Sequence, residues 1–394
     1  MDLIGVSPSQ PTRVRRQWIG ATVPDWGNPA GPEILFIHGF SQSQMSWMRQ
    51  VDSDLAKEFH IVTYDLRGHG NSDKPLDPAA YRNSTAWGQE VQAVMDAAGL
   101  KRPVLVGWSY AGRVISDYLA TEGAGKIAGI DFVDAPIKVD PALIGDNLKN
   151  LPLMASEDLA TNIAATRTFL HGCFSRQPSV DDFETMLAFN MMVPPKVRAG
   201  LSGRPLDATV MMSKLNLPVL VTHGAEDRNA KVGAGQYTAA TIPGAKLSIY
   251  EGIGHAPFYE DAPRFNSELA AFVACGKQNE LRSAFAFRWV DPARRRSRAT
   301  STDRTFHRHR SADFDAGLGA GNIDKAGAIR AARLHVRART RLGRGRRPRR
   351  RRLRVWIGKR LRTGTIADRD SERCGRRYRG GAAERQAVSH GGAS

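Results

Sequence analysis

The sequence predicts an α/β fold: a mostly parallel central sheet covered by helices on both faces. Three observations carry that prediction. Short apolar runs rich in β-branched residues recur between residues 33 and 252, the pattern of strands buried on both faces. Stretches with helical apolar spacing alternate with them, which is the order of a sheet wound with helices. Several runs exit into Gly or Asp at what becomes one edge of the sheet, where open α/β sheets gather ligands.

Each element follows in chain order. "EILFIHGF" (33–40) and "HIVTYDLRGHG" (60–70) read as buried strands with glycine-rich exits. "TAWGQEVQAVMDAAG" (85–99) places Trp87, Val91, Val94 and Met95 on one helical face, with Gly99 as its C-terminal cap. "PVLVGWSYAG" (103–112) is a buried strand running into a helix that reaches to about Leu119. "IAGIDFVDAP" (127–136), "LPVLVTHG" (217–224) and "AKLSIYEG" (245–252) are read as further buried strands, and "APRFNSELAAFVA" (262–274) as the closing helix. The stretch before Asn28 is broken by Pro24, so a leading hairpin has weak support.

Residues 137–214 break the alternation. They are helical in character and rich in Met and Phe, as in "FETMLAFNMMVPP" (183–195). The plainer reading is additional core. Insertion between two strands at the ligand-binding edge favours a helical lid, and adaptable Met side chains suit an apolar pocket. Met191 and Met192 of the lid, with Trp108 of the sheet, are the candidate pocket residues.

The net charge of +18 over 394 residues describes neither part of the chain. Residues 1–276 carry 24 Lys+Arg against 29 Asp+Glu, a net of −5, and form the expected folded domain. Residues 277–394 carry 33 against 10, a net of +23, with 30 Arg and 3 Lys. As a working segment this tail is expected to be disordered and to bind nucleic acid without sequence preference. Its abrupt start after a complete fold also fits read-through of a GC-rich gene in another frame, the favoured reading. No run approaches the roughly 18 apolar residues of a membrane span, and the charges near the N-terminus follow its apolar stretch, the reverse of a secretory signal. A cytoplasmic protein is the expectation. Cys173, Cys275 and Cys374 lack metal-site spacing, so no metal is expected.

Chemistry concentrates at the strand exits. Ser109 lies between Gly107 and Ala111, where a serine on a sharp strand-to-helix turn needs small neighbours. A serine hydroxyl is a poor nucleophile without a base, and the base needs an orienting acid. Asp227 in "VTHGAEDRNA" and His255 in "YEGIGHAPFYEDAP" stand past two later strands and offer both. His38 and His69, in glycine turns, read as loop-placing residues.

With "FIHGF", "DLRGHGNSDKP", "GWSYAG", "HGAED" and "GHAPFYEDAP" in this order, residues about 30–275 resemble the α/β-hydrolases. Within them the likeness is to single-domain esterases and cofactor-free (non-haem) haloperoxidases with a short lid. The resemblance implies Ser109 as nucleophile, His255 as general base and acid, and Asp227 as the carboxylate orienting the imidazole. It implies an oxyanion hole from the backbone N–H groups of Phe40 and Tyr110, and no cofactor. Asp134, past the strand before the lid, is the alternative acid. Ala111 stands where glycine is commonest, a minor departure. The implied activity is hydrolysis of small carboxylic esters, with perhydrolysis as a close variant using the same residues. A ligand-binding protein without turnover is the reading from another class.

Overall fold

The computed structural model describes residues 9–16 and 19–288. Eight strands form one sheet: β1 (Ser9–Arg16), β2 (Ile19–Gly27), β3 (Glu33–Ile37), β4 (His60–Tyr64), β5 (Val104–Trp108), β6 (Gly129–Val133), β7 (Val219–Gly224) and β8 (Lys246–Tyr250). Their spatial order is β1-β2-β4-β3-β5-β6-β7-β8. Pairing is parallel from β4 through β8 and antiparallel where β2 meets β1 and β4. The hairpin that the sequence supported weakly is therefore present. Its register shifts between Ser9 and Thr12, opposite the stretch holding Pro24, where a residue without an N–H does least harm.

Every residue of β4, β5, β6 and β7 is buried, as apolar runs covered on both faces require. β8 is a correction. Read as buried, it is an edge strand with Lys246 and Leu247 exposed, because no strand follows it in the sheet.

The helices are α1 (Met48–Val51), α2 (Leu55–Glu58), α3 (Ser84–Ala97), α4 (Ala111–Glu122), α5 (Leu151–Met154), α6 (Leu159–Gly172), α7 (Val180–Met191), α8 (Pro195–Leu201), α9 (Thr209–Met212), α10 (Val232–Thr241), α11 (Pro257–Glu260) and α12 (Ala262–Arg288). In α3 the Asn83 side chain accepts the Ala86 N–H at the start, and Gly99 takes φ 70° just past the end. That turn lets the Leu100 N–H reach Met95 O at 2.9 Å, the left-handed exit predicted for this glycine. Trp87, Val91, Val94 and Met95 are all buried. Between β6 and β7 the described chain forms helices α5 to α9, so the Met/Phe-rich stretch is helical as read.

Helix α12 does not stop near Cys275 but runs on to Arg288. The residues after Gly276, "KQNELRSAFAFR", are mostly good helix formers and contain no proline to end the turn. The chain divides into two units, Met1–Val290 and Asp291–Ser394. Most of the Arg-rich tail, with its expected disorder and nucleic-acid binding, lies outside the described residues. Among the described residues no helix is long and apolar enough to cross a membrane.

Candidate active site

Ser109 follows directly on β5 and takes φ 57°, a left-handed conformation uncommon for serine. Its N–H donates to Val133 O at 2.9 Å, and its carbonyl accepts the Gly112 N–H at 2.9 Å as α4 begins. The small neighbours have a steric reason. A Cβ on Gly107 would lie 2.4 Å from Ile115 Cδ1 and 3.2 Å from Ala111 Cβ. A Cβ on Gly39 would lie 3.2 Å from Ser109 Cβ, so the loop after β3 passes close against the serine. The elbow thus holds the hydroxyl half-exposed at the C-terminal edge of the sheet.

His255 and Asp227 meet from the exits of β8 and β7. His255 Nδ1 lies 2.7 Å from Asp227 Oδ2. The other Asp227 oxygen, Oδ1, accepts the N–H groups of Asn229 (2.7 Å) and Ala230 (3.1 Å). The carboxylate is thereby locked in rotation with one oxygen aimed at the imidazole. The histidine backbone is held at both ends: its N–H donates to Cys173 O and its carbonyl accepts the Trp108 Nε1–H, each at 2.7 Å. Trp108 is thus the link from the elbow to the histidine. Ser109 Oγ itself makes no hydrogen bond among the described residues.

The loop carrying Phe40 is pinned by two neutral histidines. His38 accepts the Leu66 N–H on Nε2 (3.0 Å) and donates from Nδ1 to Gly39 O (2.9 Å). His69 accepts the Ser41 N–H on Nε2 (3.1 Å) and donates from Nδ1 to Arg67 O (2.9 Å). Burial lowers His38 to about 4 and His69 to about 3, so both keep a lone pair for accepting these N–H groups. They place loops, as their glycine turns suggested. Among the described residues the N–H groups of Phe40 and Tyr110 have no protein acceptor.

A second carboxyl sits beside the first. Asp134 follows β6 at φ 47°, is fully buried, and accepts the Gly224 N–H on Oδ1 at 2.8 Å. Its Oδ2 has no partner, and burial with the nearby Asp227 charge pushes it well above the ordinary carboxylate range. His223, lowered by burial, lies 3.4 Å from Asp227 and 3.9 Å from Asp134. Asp134, Asp227 and His255 offer donor atoms within 4.8 Å of one another, the one such group among the described residues. Asp227 already accepts two backbone N–H groups and faces the imidazole, which suits orienting a histidine better than ligating a cation.

Comparison with known proteins decides the family. Residues 34–268 match the model of the "Alpha/beta hydrolase family". The chain belongs to this family. It is 26% identical over 265 residues to a non-heme chloroperoxidase of Streptomyces lividans, covering 63% of this chain and 94% of that protein. It is 27% identical over 265 residues to a bifunctional esterase/perhydrolase of Acinetobacter calcoaceticus, with the same coverage. The solved structure of an esterase from a Rhodococcus species superposes with a TM-score of 0.63 at 33% identity, covering 68% of this chain and 98% of that one.

Between helix α7 and the core lies a pocket of about 110 Å³ lined by Trp108, Phe174, Met186, Phe189 and Phe258 among others, with Arg49 and Asp182 also in its lining; Ser109 and His255 are not among its lining residues. Trp108, one of the candidate pocket residues, is part of this lining. Met191 and Met192 are not; they end α7, half-buried and exposed respectively. Met186 lies five and six residues before the pair singled out, about one and a half helical turns, which turns it to another face of the helix. At the rim Asp182 of α7 accepts from Arg49 (3.2 Å) and from the Tyr259 hydroxyl, fastening the lid to the core.

Proposed function

We propose that this hydrolase cleaves small carboxylic esters through an acyl-enzyme on Ser109. The observation that carries the reading is the Asp227–His255 pair at 2.7 Å, set at the same sheet edge as a serine in a left-handed elbow. Its likeness to esterases over most of their length supports it.

In this reading Asp227 keeps the proton of His255 on Nδ1, leaving Nε2 free as base. Nε2 takes the Ser109 proton as Oγ bonds to the ester carbonyl carbon. The oxyanion that develops is met by the Phe40 and Tyr110 N–H groups, donors that need no reorganisation when charge appears. His255 then gives the proton to the departing alkoxide. Water, deprotonated by the same Nε2, attacks the acyl-enzyme and releases the carboxylic acid. In this reading the cavity beside Trp108 takes the acyl or alcohol group; Arg49 and Asp182 in its lining are paired with each other, and the remaining aromatic and Met side chains favour an apolar group, since an unpaired charge buried there costs several kcal/mol.

Perhydrolysis is a second reading, favoured by the similarity to a bifunctional esterase/perhydrolase. Hydrogen peroxide then takes the place of water and the product is a peracid. A panel of p-nitrophenyl esters with and without peroxide tests both. Ester hydrolysis and fluorophosphonate labelling are expected from the wild type, and Ser109→Ala should lower kcat on the order of 10⁴–10⁶-fold. Full turnover by folded Ser109→Ala protein would refute the mechanism.

A further inference from the structure

Glu260 has no part in the chemistry above, yet its carboxylate is fully used. Oε1 accepts the Gly254 N–H at 2.9 Å, while Oε2 accepts the N–H groups of Ser175 (3.0 Å) and Arg176 (2.7 Å). Gly254 immediately precedes His255. Ser175 and Arg176 lie in the connection between lid helices α6 and α7. One side chain at the end of α11 therefore ties the histidine loop to the lid.

Other contacts run through the same junction. The His255 N–H donates to Cys173 O, at the end of α6, and Asn229 Nδ2 lies 3.3 Å from Cys173 Sγ. A Cβ on Gly254 would stand 2.8 Å from both Cys173 O and Ser175 N, so the loop and the lid connection touch backbone to backbone. The lid connection, the histidine loop and the Asp227 loop thus share one seat.

We infer that Glu260 is a positioning residue: its carboxylate locks the α6–α7 connection to the His255 loop, so that seating of the lid and placement of the base are one event. The inference rests on the esterase reading of His255. A carboxylate is needed because three N–H donors converge on two oxygens; an amide offers one oxygen and turns an NH₂ against a donor.

The test compares wild type with Glu260→Gln and Glu260→Ala, and with Glu184→Gln at an exposed lid position as control. Ester hydrolysis, fluorophosphonate labelling rate and backbone hydrogen exchange are measured on folded protein. Glu260→Gln should lower kcat tenfold or more with KM within threefold, and slow labelling of Ser109 by a similar factor. Exchange should quicken at Ser175, Arg176, Gly254 and His255, and Glu184→Gln should change none of these. An active wild type with Glu260→Gln kcat within threefold overturns the inference, even if the variant melts lower. A wild type that neither hydrolyses esters nor labels removes the esterase reading and this inference with it. Should Glu260→Ala fail to fold, the isosteric Gln variant decides.

Discussion

Replacing Asp227 by Asn separates orientation from bulk at the proposed site. The side chain is held by two backbone donors, the N–H groups of Asn229 and Ala230, both on Oδ1. In Asp227→Asn these donors keep the amide oxygen and exclude the NH₂, because N–H facing N–H would leave buried donors unpaired. The amide NH₂ must then occupy the position of Oδ2, 2.7 Å from His255 Nδ1. There it donates, forcing the imidazole proton onto Nε2, and the lone pair that should take the serine proton is lost. Wrong-tautomer substitution of this kind costs roughly 10⁴ in kcat, or about 5.4 kcal/mol at about 1.36 kcal/mol per decade. Asp134→Asn should be mild, since burial and the nearby Asp227 already disfavour the Asp134 charge and the amide keeps an oxygen for the Gly224 N–H. Initial rates on p-nitrophenyl acetate, with circular dichroism to verify folding, measure both. Loss below tenfold in Asp227→Asn would refute its orienting role, and the two results reversed would show that the orienting acid is Asp134.

Two further outcomes follow from buried charge. His38 and His69 stay neutral in the fold with values near 4 and 3, so below the unfolded value of about 6.5 only the unfolded chain gains their protons. Stability is full above that pH and falls as pH drops toward 4, by about 2 kcal/mol per histidine at pH 5; urea melts at pH 5 and 7 with equal midpoints would contradict this. Arg198 is fully buried in the lid, where its guanidinium donates to Met154 O, Asn162 Oδ1, Thr166 Oγ1 and Asn190 O, and burial lowers it to about 10. Arg198→Met leaves those acceptors unpaired and should loosen the lid by several kcal/mol, at about 1–3 kcal/mol per orphaned group; limited proteolysis should cut first between residues 151 and 201, and wild-type resistance there would refute it.

The sheet was legible in the sequence because its strands are buried on both faces. Ile34 to Ile37 and Val104 to Val106 are apolar at every position, a pattern that solvent-facing elements lack. The Ser109 elbow was legible because steric crowding restricts its neighbours to Gly and Ala. The edge was not. "AKLSIYEG" reads as apolar as its neighbours, and its exposure depends on having no strand beyond it. Which methionine of α7 faces the cavity beside Trp108 was not legible: Met186 lines it and Met191 does not, because the helix's rotation is set by packing that no local pattern encodes. Glu260's three bonds reach residues 6, 84 and 85 positions away, and no local pattern announces a side chain that binds remote backbone.

Backbone strain shows where this fold concentrates its costs. Among the described residues the non-glycine residues at positive φ are Ser41, Ser109 and Asp134, and all three follow the C-terminal ends of β3, β5 and β6, adjacent in the sheet. Such conformations cost on the order of 1–3 kcal/mol each and persist where the surroundings over-determine them. Ser109 carries the hydroxyl of the proposed nucleophile, and the Asp134 side chain accepts the Gly224 N–H at 2.8 Å. Ser41 is different: at φ 60° it is fully buried and its Oγ has no partner, while its N–H alone serves the loop by donating to His69. Ser41→Gly keeps that N–H, relieves the strain and removes an unpaired buried hydroxyl, against about 0.5–1 kcal/mol for the added freedom of glycine in the unfolded chain. The balance favours the variant by about 1 kcal/mol at the low end of these ranges, or a thermal midpoint raised by roughly 2–4 °C or more for a domain of this size. A lowered midpoint would show that the serine side chain packs to an advantage greater than the strain it bears. A raised midpoint with slower ester turnover would place Ser41 beside Ser109, as a residue held in strain for the proposed site rather than for the fold.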